Sequence, residues 1–200
     1  LFTGMVLGLQ GYYTLVNFGS EAALGAAVSL TLIRELGPVL TAVMITARAG
    51  SAMAAEIGVM RISEQIDALK TMQIHPRRFV FSPRLAAAVI SFPLLTALFD
   101  VVGIFGGYLT GSLLLGINQT VYMDKVVSAV RMADINGGFI KSFAFALIVT
   151  GVCCFQGYYT HIANHGGKGA KGVSMSTTNA VVSSCVYILI CDYIITYFLV

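Results

Sequence analysis

The segment Arg48–Arg84, RAGSAMAAEIGVMRISEQIDALKTMQIHPRRFVFSPR, is the longest interval of this 200-residue chain that cannot rest in hydrocarbon. It holds six of the twelve basic residues (Arg48, Arg61, Lys70, Arg77, Arg78, Arg84) and three of the nine acidic ones (Glu56, Glu64, Asp67). Its middle, Met60–Ile74, predicts a short amphipathic helix. Ile62, Ile66, Leu69 and Met72/Gln73 recur at helical spacing, while Arg61, Glu64, Asp67 and Lys70 fall elsewhere on the wheel. Ser63 is the expected N-cap, with Glu64 and Asp67 in the first turn, where the helix dipole favours negative charge. His75 precedes Pro76 and is pushed out of the α region, which ends the helix there.

On either side of this segment the chain is apolar. Hydrophobic residues make up 57% of it, charged residues only 10%, and mean hydropathy is +0.85. Soluble domains carry about 25% charge, so composition predicts an all-α integral membrane protein, one membrane domain spanning residues 1–200. A net charge of +3, with basic residues clustered in loops rather than along one stripe, argues against a nucleic-acid partner.

Hydropathy gives about five spans: Leu1–Phe18, Ala22–Ala47, Leu85–Leu115, Phe139–Tyr159 and Thr178–Val200. The first would rise roughly 25 Å as a helix, less than a bilayer core of about 30 Å, and the expectation is that an N-terminal portion is missing. Gly4 and Gly8 form a small-xxx-small pair, and Gly103, Gly107 and Gly111 make a flat face suited to close helix packing. Loops on one side carry eight basic residues (the six above plus Lys168 and Lys171); those on the other carry Lys125, Arg131 and Lys141. The positive-inside rule puts the first set, and the Met60–Ile74 helix, in the cytoplasm.

Charges inside spans are costly and point to function. Arg34 and Glu35 are adjacent, so they project about 100° apart on a helix. Either they face a polar cavity, which the helix-interrupting Gly37-Pro38 favours, or they are structural, satisfied by Asp100, Asp192, Lys141 or backbone. Asp100 and Asp192 are expected to pair structurally. The four cysteines (Cys153, Cys154, Cys185, Cys191) lack metal-ligand spacing and read as buried free thiols. Gly167–Gly172 matches G-x-G-x-x-G, but no strand precedes it; His161 and His165 lack the glutamate of H-E-x-x-H. No metal site and no catalytic constellation is expected. Tyr12, Tyr13, Phe18, Tyr158 and Tyr159 fall near span ends, as interfacial aromatics do; Thr14 and Phe18 are alternatively placed to meet a lipidic ligand.

Several blocks together resemble the MlaE/YrbE family of ABC-transporter permeases. They are Gly4-Met-Val-Leu-Gly-Leu-Gln-Gly11, Arg34-Glu-Leu-Gly-Pro38, Ala47-Arg-Ala-Gly-Ser51, Glu56-Ile-Gly-Val-Met-Arg61, Glu64-Gln-Ile-Asp-Ala-Leu69 and Pro83-Arg84. The likeness continues through Ser91-Phe-Pro-Leu-Leu95 and Gly103-Ile-Phe-Gly-Gly107 to Thr177-Thr178 and Asp192. One departure is Asn179, where the family commonly carries an arginine.

The resemblance implies a non-enzymatic subunit of an ATP-driven phospholipid transporter that maintains outer-membrane lipid asymmetry. It would sit in the inner membrane of a Gram-negative bacterium. Its implied partners are a second copy of itself, a cytoplasmic ABC ATPase dimer carrying the ATP and Mg, a STAS-domain protein and a periplasmic MCE-domain hexamer. Met60–Ile74 would be the coupling helix, with Glu56, Arg61, Glu64, Asp67, Leu69 and Lys70 facing the ATPase. Leu7, Thr14, Phe18, Arg34 and Glu35 would line the lipid cavity, with Asp100, Lys141 and Asp192 as further intramembrane charges. The competing readings are an ion-coupled secondary transporter using Glu35, Asp100 and Asp192, and a non-transporting membrane scaffold.

Overall fold

In hydrocarbon every backbone N–H and C=O needs an intrachain partner, so apolar runs of this kind fold as helices. The structure, a computed structural model, describes residues 1–160 and 169–199, and among them there is no strand. His161, His165 and the start of the Gly167–Gly172 motif lie outside the described residues. Helix α1 is Phe2–Val16. A single long helix, Glu21–Ile62, contains α2 (Leu24–Thr31), α3 (Gly37–Ile45) and α4 (Ser51–Ile62), joined by π-helical turns at Leu32–Leu36 and Thr46–Gly50. Then come α5 (Gln65–Thr71), α6 (Pro76–Tyr108), α7 (Gln119–Ala129), α8 (Met132–Tyr158) and α9 (Ala170–Leu199).

Among the described residues four segments are long and apolar enough to cross a membrane: Glu21–Ile62, Arg78–Leu114, Met132–Tyr158 and Ala170–Leu199. The first predicted span is helical too, but α1 has 15 residues and rises about 22 Å. The other helices overrun their predicted bounds into polar sequence. Nothing between Ala47 and Ile62 breaks a helix, and Pro76 opens α6 at a first-turn position, where its missing N–H is not needed. Pro83 and Pro93 both lie inside α6. The expected loop around residues 116–138 instead contains α7, started by Asn118, whose Oδ1 accepts from the Thr120 N–H at 3.1 Å.

The chain folds as two compact units. The first comprises Leu1–Thr41 and Leu94–Lys141. Its core is Leu24, Val28, Leu32 and Tyr122, all buried. Here α1 lies against residues 103–110 so closely that a Cβ on Gly4 would strike the Gly103 carbonyl, and one on Gly8 would sit 3.3 Å from Gly107 Cα. The Gly4/Gly8 face thus meets the backbone of this segment, while the Gly103, Gly107 and Gly111 face turns to Leu32, Val28, Leu24 and Tyr122. Tyr122 of α7 stands edge-on to Tyr108 at 5.9 Å, and burial pushes its phenol up to about 12.

The second unit comprises Ala42–Pro93 and Ser142–Val200. Its α4 packs on α9, where a Cβ on Gly58 would lie 3.4 Å from Val173. Ile57, Ile66, Val80 and Cys154 form its buried cluster. All four cysteines are free, Cys153 and Cys154 buried, Cys185 and Cys191 half-buried.

Candidate functional site

The extramembrane element departs from the single Met60–Ile74 helix expected. α4 ends at Ile62, and Ser63 is its C-cap rather than an N-cap, its Oγ donating to the Val59 carbonyl at 2.8 Å. Glu64 then takes a left-handed backbone, φ 59°, which breaks the helix before α5 begins. α5 closes in a Schellman motif: the Gln73 N–H donates to Lys70 O and the Ile74 N–H to Leu69 O, each 3.0 Å, with Gln73 at φ 60°. The helix therefore stops at Thr71, before the residue preceding Pro76 can act on it.

The turn at Glu64 resets the helical phase, so the predicted apolar stripe does not form. Ile66 alone of α5 is fully buried, seated among Ile57, Val80 and Cys154. Leu69 is half-buried, while Ile62 and Met72 are exposed. The predicted coupling charges sort into two braces. Asp67 accepts from Lys70 Nζ at 2.8 Å and from an Arg61 N–H at 2.9 Å, tying α5 to α4. The Lys70 bond first, and then the Arg61 bond, hold the Asp67 carboxyl below the usual carboxylate range. Arg61 also lies over the Tyr158 ring at 5.7 Å. Glu56 accepts from Arg84 at 2.9 Å, and Arg84 also donates to the Val80 carbonyl, joining α4 to the first turns of α6. Glu64 is exposed at the turn.

Within the first unit, Arg34 and Glu35 each find a separate partner, as their 100° divergence requires. Arg34 bonds Asp134, 2.7 Å in the ion pair. Glu35 Oε2 accepts from Lys141 Nζ at 2.7 Å, and the same ammonium donates to the Arg34 carbonyl at 2.9 Å. The second bond has a cause in the sequence. The α-helical donor for the Arg34 carbonyl would be residue 38, which is proline and has no N–H. Helix interruption at Gly37-Pro38 thus takes the form of a π turn and a vacated carbonyl, which Lys141, 2% exposed, fills.

Asp100 departs from the pairing expected of it: its Oδ1 is buried without a hydrogen-bond partner, close against Gly37, where no Cβ would fit. It borders a cavity of about 180 Å³ with Ile33, Thr96 and Phe139. Asp192 lies in α9, in the second unit, and its carbonyl accepts from Thr196 Oγ1 at 2.8 Å.

Leu7 and Thr14 come together with Gln10, Gly11 and Leu15 on one face of α1, opposite Ala27, Val28 and Thr31, enclosing a groove of about 440 Å³. Thr14 and Thr31 turn their hydroxyls back onto the carbonyls of Gln10 and Ala27, which leaves Gln10 as the groove's amide. Phe18 is 77% exposed and outside this groove, and Arg34 and Glu35 do not line it. Gln10 was legible from its 3- and 4-residue spacing to Leu7 and Thr14, and Asp134 was not.

Repeated helices long and apolar enough to cross a membrane, with the short α5 between two of them, define a multi-pass membrane protein. The MlaE permease family matches residues 1–198, and the chain belongs to it. It is 43% identical over 197 residues to the Haemophilus influenzae protein described as "Intermembrane phospholipid transport system permease protein MlaE", covering 98% of this chain and 73% of that one. It is 42% identical over 195 residues to a "Probable ABC transporter permease protein" of Rickettsia felis, with the same coverage. It is 36% identical over 197 residues to the chloroplastic "TRIGALACTOSYLDIACYLGLYCEROL 1" protein of Arabidopsis thaliana, covering 98% of this chain and 55% of that one.

Proposed function

We propose that this chain is the permease subunit of an ATP-driven phospholipid transporter in the inner membrane of a Gram-negative bacterium. The likeness to the Haemophilus protein suggests the cargo. The observation in the molecule itself that carries the reading is α5. It is fixed at both ends, seated by Ile66, and presents Glu64, Lys70 and Met72 outward between two membrane-crossing helices.

In this reading a separate ABC ATPase dimer binds ATP and Mg, since this chain carries no phosphate-binding loop. Closure of the ATPases displaces α5, and the Glu56–Arg84 and Asp67–Arg61 braces pass that displacement to α4 and α6. A second copy of the chain, a STAS-domain protein and a periplasmic MCE-domain hexamer complete the assembly that serves outer-membrane asymmetry. The α1–α2 groove takes acyl chain, and Arg34 meets the phosphate. Such gating is a two-state rearrangement biased by nucleotide.

The test is movement of a fluorescent phospholipid between proteoliposomes and acceptor vesicles. Transport that requires added ATPase, ATP and Mg supports the proposal. Transport that runs without them and collapses with an ionophore would instead establish ion coupling, with Glu35, Asp100 and Asp192 the residues to substitute next.

A further inference from the structure

The second unit holds a pocket of about 500 Å³ where the α4 end, the start of α6 and the end of α8 meet. That size lies inside the roughly 300–1,000 Å³ range of small-molecule sites. Its walls are Ile57, Phe81, Phe155, Tyr158 and the bare backbone of Gly151, and its one charged lining group is Arg78. Two features fix its depth in the bilayer. The membrane-crossing segment Arg78–Leu114 begins at its rim, and Met132–Tyr158 ends there. Tyr158 and Tyr159, ring to ring at 5.2 Å, stand at the same level, where interfacial aromatics belong. The basic-residue count puts this end of both segments on the cytoplasmic side.

Charge singles out what fills it. Of the described arginines around the pocket, Arg84 is held by Glu56 and Arg61 by Asp67. Arg78 is exposed and has no acidic partner among the described residues. An apolar slot at headgroup depth with one uncompensated guanidinium suits an acyl chain attached to an anionic phosphate. We propose that this pocket seats one anionic phospholipid of the cytoplasmic leaflet, its chain against Phe155 and Phe81 and its phosphate on Arg78. The proposal needs no transport activity and concerns a lipid distinct from one in the α1–α2 groove. Ile57 and Val80 line the pocket and also seat Ile66 of α5, so an occupied pocket firms that seat.

The experiment uses the full-length protein in nanodiscs of phosphatidylcholine doped with photoactivatable phosphatidylglycerol or, separately, photoactivatable phosphatidylcholine, with crosslinks mapped by mass spectrometry. Phosphatidylglycerol should label the peptides around Arg78 and Phe155, and Arg78→Gln should lower that labelling about fivefold while leaving the phosphatidylcholine signal alone. Gly151→Leu should abolish labelling there by filling the slot, since a Cβ at this position starts in open space, with nothing within 4 Å. Phosphatidylglycerol should also slow amide exchange in α5. Equal labelling by both lipids with no effect of Arg78→Gln would overturn the proposal in favour of ordinary annular contact. Loss of the label once the cytoplasmic partner is bound would mark the pocket as a protein interface and overturn it too. Should Gly151→Leu misfold, Arg78→Gln alone decides.

Discussion

Lys141 shows how a single proline propagates. Pro38 withholds the donor that the Arg34 carbonyl would use, and Lys141 Nζ supplies it while neutralising Glu35. Lys141→Met is expected to destabilise the protein by about 1–3 kcal/mol, the cost of leaving a buried acceptor unsatisfied, read as a lowered unfolding temperature in detergent. Adding Glu35→Gln should recover part of that loss. The need for a donor near Arg34 was legible in the sequence, because proline at i+4 announces it. The identity of the donor was not, since it lies 107 residues away.

A pH dependence follows at Asp67. Its folded carboxyl titrates below the ordinary value of about 3.9 because Lys70 and Arg61 bond the charged form. The contribution is complete above the unfolded pKa and disappears as pH falls through the lowered folded value, so nothing changes between about pH 5 and 8. Carboxyl carbon NMR should give an Asp67 midpoint below that of an exposed aspartate, returning upward in Arg61→Gln/Lys70→Met.

Among the helices, packing is set where side chains are absent. Gly4→Val should eject α1 from the first unit, since its Cβ strikes the Gly103 carbonyl; disulfide trapping between α1 and residues 103–107 should fail in that variant. Gly151→Ala, in open space, should be neutral or gain up to about 1 kcal/mol from helix propensity. Ile66→Ala removes the one buried anchor of α5, at a cost of about 2–5 kcal/mol. That loss should appear as fast amide exchange confined to α5.

The glycine contact was readable because small residues at spacing four have few other uses in a membrane helix. The end of α4 was not. A left-handed Glu64 carries no glycine to announce it, and without the turn the heptad-like spacing of Ile62, Ile66 and Leu69 favours one continuous helix. α7 was hidden for a different reason: eleven mixed residues give too weak a periodicity to stand out from a loop.

Taken whole, the chain is a membrane permease of the MlaE family, and its topology is open to a direct check. One membrane-crossing segment, Arg78–Leu114, separates Met72 from Met123. Cysteines at these two exposed positions should react with impermeant maleimide from opposite faces, Met72→Cys from the cytoplasm. Reaction from the same face would invalidate the span count. Hydropathy made the crossing helices readable over most of their length, but their polar extensions into water were not, because hydropathy sees only the stretch immersed in lipid.

The two left-handed residues that bracket α5 have a mechanical consequence. Glu64 and Gln73 both carry side chains in a conformation that glycine would adopt freely. Each junction therefore has one narrow backbone setting instead of a range. A connection with glycine at both points would act as a soft spring, absorbing load in bending. This one has lower compliance: in the proposed coupling role, force on the outer face of α5 arrives at α4 and α6 as stroke.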